Sequence, residues 1–187
     1  MSGLYLLVLI GVWLLVGWVI YRLWRRWQPQ EAKRKVLHLV AGLLLFSLWF
    51  GGAFWEVAGK KMYWDAQVRK LCAIDGGVKV YETVELTPDL LDRFGRIHIP
   101  EKSDVKDADL YFYDTEIQVV RNENPKISRT RHVVIRHSDN KVLGELIRYG
   151  RGGGDLPGPW EPSYFLCPDP AKGSNFENSI FLKGDKK

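Results

Sequence analysis

The sequence predicts an α+β protein in which a two-helix transmembrane hairpin precedes a small antiparallel-sheet domain with one packed N-terminal helix. Three observations predict this class. Two apolar segments open the chain of 187 residues, basic side chains surround the turn between them, and much of the remainder alternates apolar and polar residues as half-buried strands do. We therefore divide the chain into a hairpin at residues 1–55 and an α+β domain at residues 56–187.

The two predicted membrane spans cover residues 4–23 and 36–55, and each is about as long as the ~20 residues that a helix needs to cross a bilayer. The lipid bilayer is therefore the first predicted partner. A secretory signal peptide is the alternative for either segment. The first segment lacks a basic start and a small-residue cleavage site. The second is the better mimic, because Lys33-Arg34-Lys35 precedes it and Gly51-Gly52-Ala53 lies near its end, but an uncleaved anchor is favoured for both.

The charge distribution predicts the orientation of the hairpin. Residues 1–55 hold six of the 27 Lys and Arg residues and one of the 22 Asp and Glu residues, and five of the six basic side chains lie in the turn at residues 24–35. Basic residues in short loops stay cytoplasmic. We therefore expect a cytoplasmic turn, with both termini and the whole α+β domain in the periplasm or an equivalent outer compartment.

The α+β domain has no net charge, because residues 56–187 carry 21 basic and 21 acidic side chains. A domain that binds nucleic acid concentrates positive charge on its folded surface. The neutral balance argues against a nucleic-acid partner.

Both cysteines of the chain, Cys72 and Cys167, lie in the predicted outer domain. Disulfides persist in oxidising compartments, and an even number of cysteines in an exported domain indicates a bridge. We expect a Cys72–Cys167 disulfide that ties the first helix of the domain to its C-terminal segment, with two buried free thiols as the alternative. Two cysteines without a Cys-x-x-Cys pair supply too few ligands for a zinc site.

The domain begins with a predicted helix at residues 62–74, where Trp64, Val68, Leu71 and Cys72 form one apolar stripe and Asp75-Gly76-Gly77 ends the helix. Residues 78–86 alternate as a strand, and residues 87–94 suit a short helix with Pro88 in its first turn. A further strand is predicted at residues 110–120. Residues 131–137 and 142–149 predict a β-hairpin around the turn 138–141, residues 150–162 a loop, and residues 179–182 a short edge strand.

The most unusual local run is the segment Tyr149-Gly-Arg-Gly-Gly-Gly-Asp-Leu-Pro-Gly-Pro-Trp160. Successive glycine amides can cradle an anion, and Arg151 would add positive charge. The pattern lacks the Gly-Lys-Ser/Thr of a phosphate loop. A rigid surface loop shaped by Pro157 and Pro159 is the favoured interpretation, and a partner contact through Trp160 is the best functional one. The candidate ligand or partner residues are Arg151, Gly152, Gly153, Gly154, Asp155 and Trp160.

No set of side chains in the sequence predicts catalysis. His132 and His137 lie five residues apart, so a strand places them on opposite faces, and His98 is isolated along the chain. The acidic loop around Asp104 and Asp109 lacks the glycine and terminal glutamate of a calcium loop. We therefore predict a non-enzymatic protein without catalytic residues, metal ligands or a cofactor.

Two motifs carry a resemblance to known proteins. The segments Leu71-Cys-Ala-Ile-Asp-Gly-Gly-Val-Lys-Val-Tyr-Glu-Thr-Val84 and Gly150-Arg-Gly-Gly-Gly-Asp-Leu-Pro-Gly-Pro-Trp160, followed by Cys167-Pro168, resemble a family of small, membrane-anchored proteobacterial proteins. The resemblance covers most of residues 62–182 and implies a bacterial inner membrane. It brings no activity and no catalytic residue.

The anchor, the neutral outer domain and the missing catalytic set favour a periplasmic protein-interaction module. Such a module would contact other membrane or periplasmic proteins, for instance as an accessory subunit of an envelope assembly. The alternative is a periplasmic ligand-binding or sensing domain, for which the glycine-rich run beside Arg151 is the motive. An enzyme is less favoured than either.

Overall fold

A computed structural model of the chain describes residues 2–27, 29–156, 158–170 and 175–183. The described chain forms two compact units. The first contains the residues up to Tyr63 together with Gly154–Ser163, and the second contains Trp64–Gly153 together with the described residues from Tyr164 onward. The division falls between Tyr63 and Trp64, whereas the sequence places the domain boundary after residue 55.

The first unit is built on the predicted helical hairpin. Helix α1 spans Ser2–Arg26 and helix α2 spans Ala32–Phe54, and both are long and apolar enough to cross a membrane. Each helix extends past its apolar run. At the end of α1 the extension contains Arg25 and Arg26, whose charges favour the negative end of the helix dipole.

Aromatic side chains hold the two helices of the hairpin together. The ring of Trp24 lies directly over Gly42, where an added Cβ atom would clash with the ring. Trp24 also stacks on His38 with 4.4 Å between ring centroids, and Trp13 stacks on Trp49 at 5.6 Å. A small residue thus permits close approach of the helices, as is common in membrane-helix packing.

Helix α2 continues through a π-helical turn at Trp55–Gly59 into helix α3, Lys60–Asp75. The helix predicted at residues 62–74 is therefore confirmed. Its predicted stop is confirmed as well, since the Gly76 N–H bonds to the Cys72 carbonyl oxygen over 2.8 Å and Gly77 has a φ of +119°. Glycine adopts that backbone conformation without steric cost.

The second unit contains a five-stranded antiparallel sheet. The antiparallel arrangement is as the sequence predicts, but the strand at Tyr164–Cys167 was not predicted. Its central strands form a meander of β3 (Tyr111–Arg121), β4 (Lys126–Arg136) and β5 (Val142–Gly152). The outer edge of β5 pairs with two short strands, β1 (Gly77–Val80) near its start and β6 (Tyr164–Cys167) near its end. The predicted β-hairpin and the strand at residues 110–120 are confirmed. Strand β3 has the predicted length but is shifted by one residue, whereas β4 begins five residues earlier and β5 ends three residues later than predicted.

A second, two-stranded sheet was not foreseen. Strand β2 (Val84–Glu85) pairs in parallel with β7 (Phe181–Leu182), which follows the short helix α4 (Phe176–Ile180). The single strand predicted at residues 78–86 is therefore wrong, since β1 and β2 belong to different sheets. The N–H groups of Tyr81 and Glu82 both bond to the carbonyl oxygen of Leu143, which ends the first ladder.

Three further predictions need correction. The short helix expected at residues 87–94 is only a 3-10 turn at Pro88–Leu90, and the edge strand expected at residues 179–182 is confined to Phe181–Leu182. The loop expected at residues 150–162 starts later, because β5 runs through Gly152. Its glycines allow this: a Cβ atom on Gly150 would lie 2.9 Å from the Leu166 side chain on β6.

Both faces of the large sheet are covered. Helix α3 covers one face through a core that contains Val68, Cys72, Ile127, Ile147 and Tyr149. The opposite face carries α4, β2, β7 and the segment around Ile99, with a core of Ile99, Val134, Leu143, Leu146, Phe176, Ile180 and Phe181. The predicted stripe of α3 is confirmed, because Val68 and Cys72 are buried and Trp64 and Leu71 pack against them.

Candidate functional site

The predicted disulfide is present in the structure. Cys72 on α3 and Cys167 on β6 are bonded, with 6.0 Å between their Cα atoms and 95 residues between them in the sequence. The bridge ties the helix that covers the sheet to the strand at the edge of that sheet. The two cysteines therefore have a structural role in holding the second unit together.

Arg151 does not offer a free positive charge to a ligand. Its side chain is 3% exposed, and its Nε atom donates to Asp65 Oδ1 of α3 over 2.5 Å. The guanidinium also donates to the carbonyl oxygen of Gly153. Gly153 and Gly154 then turn the chain away with φ angles of +85° and +81°. The structure therefore uses Arg151 to fasten the end of β5 to α3.

Three residues of the predicted ligand or partner loop, Gly154, Asp155 and Trp160, belong to the first unit. Asp155 forms a 2.5 Å ion pair with Lys61 and accepts a 2.6 Å hydrogen bond from the Ser163 N–H. Burial raises the pKa of Asp155, but these partners outweigh burial and hold the pKa below its usual range. Trp160 meets Tyr5 of α1 edge to face at 5.6 Å, and Pro157 lies outside the described residues.

The six candidate residues therefore divide between the two units. The second unit contains Arg151, Gly152 and Gly153, and the first unit contains Gly154, Asp155 and Trp160. Both charged members have counter-ions of their own. Because Arg151 pairs with Asp65 and Asp155 pairs with Lys61, neither charge of the segment is free to bind a ligand.

The α3 side of the sheet carries a set of ion pairs that the sequence analysis did not find. Glu145 of β5 is 6% exposed and accepts a 2.6 Å hydrogen bond from the Tyr81 hydroxyl and a 2.8 Å bond from Arg131 Nε. Lys79 approaches the same carboxylate at 3.4 Å. The hydrogen bond from Tyr81, followed by that from Arg131, lowers the pKa of Glu145 despite its burial.

Asp75, the last residue of α3, binds two side chains on the same face of the sheet. It accepts hydrogen bonds from Arg129 Nη2 and from the Tyr149 hydroxyl, both over 2.8 Å. Burial raises the pKa of Asp75, but the bonds from Arg129 and Tyr149 together lower it. Arg129, Arg131 and Arg151 therefore each have a carboxylate partner on this side of the sheet. Alternation of arginines along β4 could have signalled this ladder, but the acids lie far away in sequence.

The opposite face of the sheet contains a polar cleft of about 430 Å³. Its floor is the sheet itself, with His132 of β4 and Arg148 of β5 among the buried Val134 and Leu146. The walls come from the segment Ile97–Ile99 and from the start of α4, where Glu177 stands. The cleft lies entirely within the second unit. It brings His98 and His132 together, although 34 positions separate them in the sequence.

Within the part of the chain that the structure describes, the arginine of the cleft lacks the acidic partner that each arginine on the α3 side of the sheet has. The Nε atom of Arg148 is buried, and no hydrogen-bond partner for it lies among the described residues. His132 shares a 2.9 Å hydrogen bond with the Thr115 hydroxyl through Nδ1, and burial followed by the charge of Arg148 lowers its pKa. Glu177 is an exposed residue, and partial desolvation raises the pKa of its carboxyl group.

The outer edge of β3 is the other unusual feature of the second unit. Tyr113 donates its N–H to the Pro100 carbonyl oxygen over 3.0 Å and accepts the Lys102 N–H over 2.9 Å. Backbone groups of alternate residues point to the same side of a strand. Thr115, Ile117 and Val119 therefore direct their N–H and carbonyl groups outward, where the structure shows no partner for them within its described ranges.

The side chains along this open edge are also exposed. Ile117 is 66% exposed, Val119 is 46% exposed and Val120 is 47% exposed. Val120 lies in a β-bulge, since Val119 pairs with Ser128 and Arg121 pairs with Ile127. We define the open edge of β3 as residues 115–120. Alternation along a strand predicts the strand itself, but it does not indicate whether another strand pairs with its outer edge.

Among the residues that the structure describes, no group of three or more His, Cys, Asp or Glu side chains is placed to hold a metal ion. His137, which the sequence singled out, bonds through Nδ1 to the carbonyl oxygen of Asp109 over 2.9 Å. A scan against protein-family models matches no family, and searches of curated proteins and of solved structures return no similar chain. The open edge of β3 and the polar cleft are therefore the two candidate functional features of the second unit.

Proposed function

We propose that this protein is a membrane-anchored interaction module of the bacterial inner membrane, whose periplasmic domain binds an extended segment of a partner protein along the open edge of β3. The single observation that carries the proposal is the row of outward-facing backbone groups at Thr115, Ile117 and Val119. The interaction requires no catalytic step.

An open strand edge binds an extended chain through main-chain hydrogen bonds. Each added residue pair satisfies an N–H and a carbonyl group that otherwise bond to water, and alternate side chains supply specificity. On this edge the exposed side chains of Ile117 and Val119 lie on one face of the strand, two residues apart. A partner strand with apolar residues at alternate positions would cover both.

The lack of protection along this edge favours a binding role. Proteins usually block exposed edges with charged residues, proline or bulges, because a free edge promotes aggregation. The segment Thr-Glu-Ile-Gln-Val-Val at residues 115–120 contains one charged residue and no proline. Its bulge lies only at the far end, at Val120. An edge of this kind is stable in a cell when a dedicated partner covers it.

Two observations support a periplasmic location for the domain. The basic residues between α1 and α2 favour a cytoplasmic turn, which places the following domain on the other side of the membrane. The Cys72–Cys167 disulfide suits an oxidising compartment. The bacterial inner membrane itself is inferred from the resemblance of the two sequence motifs.

The proposal is tested by affinity purification of the full chain from native membranes in mild detergent. The edge variant carries Ile117→Lys and Val119→Lys, which place two charges on the face that a partner strand must cover. The matched control is Leu110→Lys, a substitution at a residue that is 59% exposed but precedes β3. Mass spectrometry identifies the proteins that co-purify.

We expect a stoichiometric partner with the wild-type chain and with Leu110→Lys, and its loss with the edge variant. Two results would overturn the proposal. One is the absence of any stoichiometric partner from the wild-type preparation. The other is equal recovery of the partner with the edge variant, which would place the interface elsewhere on the molecule.

A further inference from the structure

We infer that the polar cleft on the face of the sheet opposite α3 is a binding site for a small organic acid, with the carboxylate on Arg148 and an apolar body against the surrounding walls. The inference is independent of the proposed partner interface. It depends on side chains that line the cleft and does not require the outward-facing backbone groups of β3, although the Thr115 hydroxyl contacts His132.

Arg148 differs from the arginines on the α3 side of the sheet, because it has no acidic partner among the described residues. Three other arginines of the sheet, Arg129, Arg131 and Arg151, each have a carboxylate within hydrogen-bond distance. Arg148 forms no ion pair with any described residue, and its Nε atom is buried without an acceptor. A buried donor on a charged group that lacks a partner is costly. A carboxylate in the cleft would neutralise the Arg148 charge through a charge-assisted, bidentate contact with the guanidinium.

The other polar groups of the cleft suit the same ligand. His132 uses Nδ1 for the Thr115 hydroxyl, which leaves Nε2 as the ring atom available to a second polar group. Glu177 and His98 stand at the exposed rim. The carboxylate of a ligand would therefore meet Arg148 on the floor, and the acidic side chain of the site stays at the rim.

The size and the walls of the cleft define the rest of the ligand. A volume of about 430 Å³ lies within the range of about 300–1,000 Å³ that is typical of small-molecule sites. Small-molecule sites combine apolar walls with a few placed polar groups. The apolar lining here consists of Ile97, Ile99, Tyr113, Val134, Leu146 and Phe176. A short apolar or aromatic acid matches this combination better than a fully polar anion such as phosphate.

The test uses the full chain in lipid nanodiscs and two probes of equal shape, benzoate and benzamide. Isothermal titration measures the affinity of each probe for the wild type, for Arg148→Gln and for Arg148→Lys. Arg93→Gln is the matched control, because it removes an equal charge from an exposed arginine outside the cleft. Inorganic phosphate is the third probe, and thermal melting verifies that each variant is folded.

We expect benzoate to bind the wild type and Arg93→Gln equally well, and benzamide and phosphate to bind at least about tenfold more weakly. Arg148→Gln should lose about tenfold or more in benzoate affinity. Arg148→Lys should fall between the two, since it keeps the charge but loses the bidentate geometry. The Lys variant keeps the inference testable if Arg148→Gln does not fold.

Three results would overturn the inference. Wild-type protein that does not bind benzoate would remove the site altogether. Equal benzoate affinity in the wild type and in a folded Arg148 variant would show that the acid binds elsewhere. Phosphate affinity equal to that of benzoate would contradict the role of the apolar walls.

Discussion

The two edges of the five-stranded sheet are treated in opposite ways. At the edge of β5, the strands β1 and β6 satisfy the backbone, and the Cys72–Cys167 disulfide ties β6 to α3. At the edge of β3, only the backbone of Tyr113 finds partners among the described residues, and the exposed apolar residues Ile117 and Val119 follow it. The closed edge therefore stabilises the fold, and the open edge leaves backbone groups without a partner among the described residues, which is why we propose it as the binding surface.

The same division applies to the arginines. Those on the α3 side of the sheet, such as Arg151, have acidic partners and are part of the framework. Arg148, on the other side, has none within the described chain. A conspicuous motif is thus a poor guide to a ligand site when its charge is already neutralised. The unpaired charge next to a cleft is the more informative feature.

The largest expected effect concerns the disulfide at the closed edge. The double variant Cys72→Ala/Cys167→Ala should lose about 4–5 kcal/mol of unfolding free energy in the chain-entropy model, since the bridge spans 95 residues of chain. Chemical denaturation of the full chain in detergent, followed by tryptophan fluorescence, measures the loss. A loss below about 1 kcal/mol would show that the closed edge is stable without its covalent tie.

The second prediction compares two arginines. Arg151→Met should cost about 3 kcal/mol, because it leaves the Asp65 carboxylate partly buried without its partner. Arg148→Met should leave stability unchanged or raise it, because it removes an unpaired buried donor. Chemical denaturation of both variants measures the two changes in unfolding free energy. Equal losses would contradict the assignment of Arg151 to the framework and of Arg148 to a ligand.

The third prediction is a pH dependence at the closed edge. The pKa of Glu145 is lowered in the folded protein, above all by the hydrogen bond from Tyr81. Its contribution to stability is therefore fully present above the ordinary pKa of a glutamate and disappears as the pH falls through the lower, folded value.

Glu145→Gln should accordingly cost about 1–2 kcal/mol at pH 7 and almost nothing once the pH is below both pKa values. Melting curves of wild type and variant across this range test it. Glu85→Gln serves as the control, since Glu85 is exposed in the neighbouring two-stranded sheet. A Glu145→Gln loss that stays constant with pH would point to packing as its cause.

The smallest expected effect is at the open edge itself. Ile117→Lys combined with Val119→Lys should change the unfolding free energy by no more than about 0.5 kcal/mol, because both side chains are exposed and the outward backbone groups bond to no described residue. Denaturation of the full chain measures this. A loss of several kcal/mol would show that the edge is part of the core and not a free surface.

Features that depend on composition or on residues close together in the sequence were predicted, and the pairing of distant strands was not. Local periodicity predicted α3, β3 and the β4–β5 hairpin, and composition predicted the two apolar helices and the disulfide. The pairing of β2 with β7 escaped it, because that ladder joins residues about 97 positions apart and contains only two residue pairs. Alternation also continued across Tyr81–Thr83, although the chain there leaves one sheet for another.

The functional features were harder to predict for a related reason. The glycines after Tyr149 indicated a loop, yet Gly150 and Gly152 lie in β5 because the side chains of β6 need the space that a Cβ atom would fill. The cleft joins residues from five separate segments, and the unpaired state of Arg148 depends on how they come together. Neither property has a local signature in the sequence.

The most direct test of the open edge is site-specific photo-crosslinking in native membranes. A benzophenone side chain replaces Ile117 in one variant and Phe94 in the other, because the two residues are almost equally exposed, at 66% and 65%, and only Ile117 lies on the edge. We predict a single crosslinked partner protein from position 117 and none from position 94. A crosslink to a second copy of this chain, equal crosslinking from both positions or no crosslink at position 117 would contradict the assignment of this edge to a partner protein.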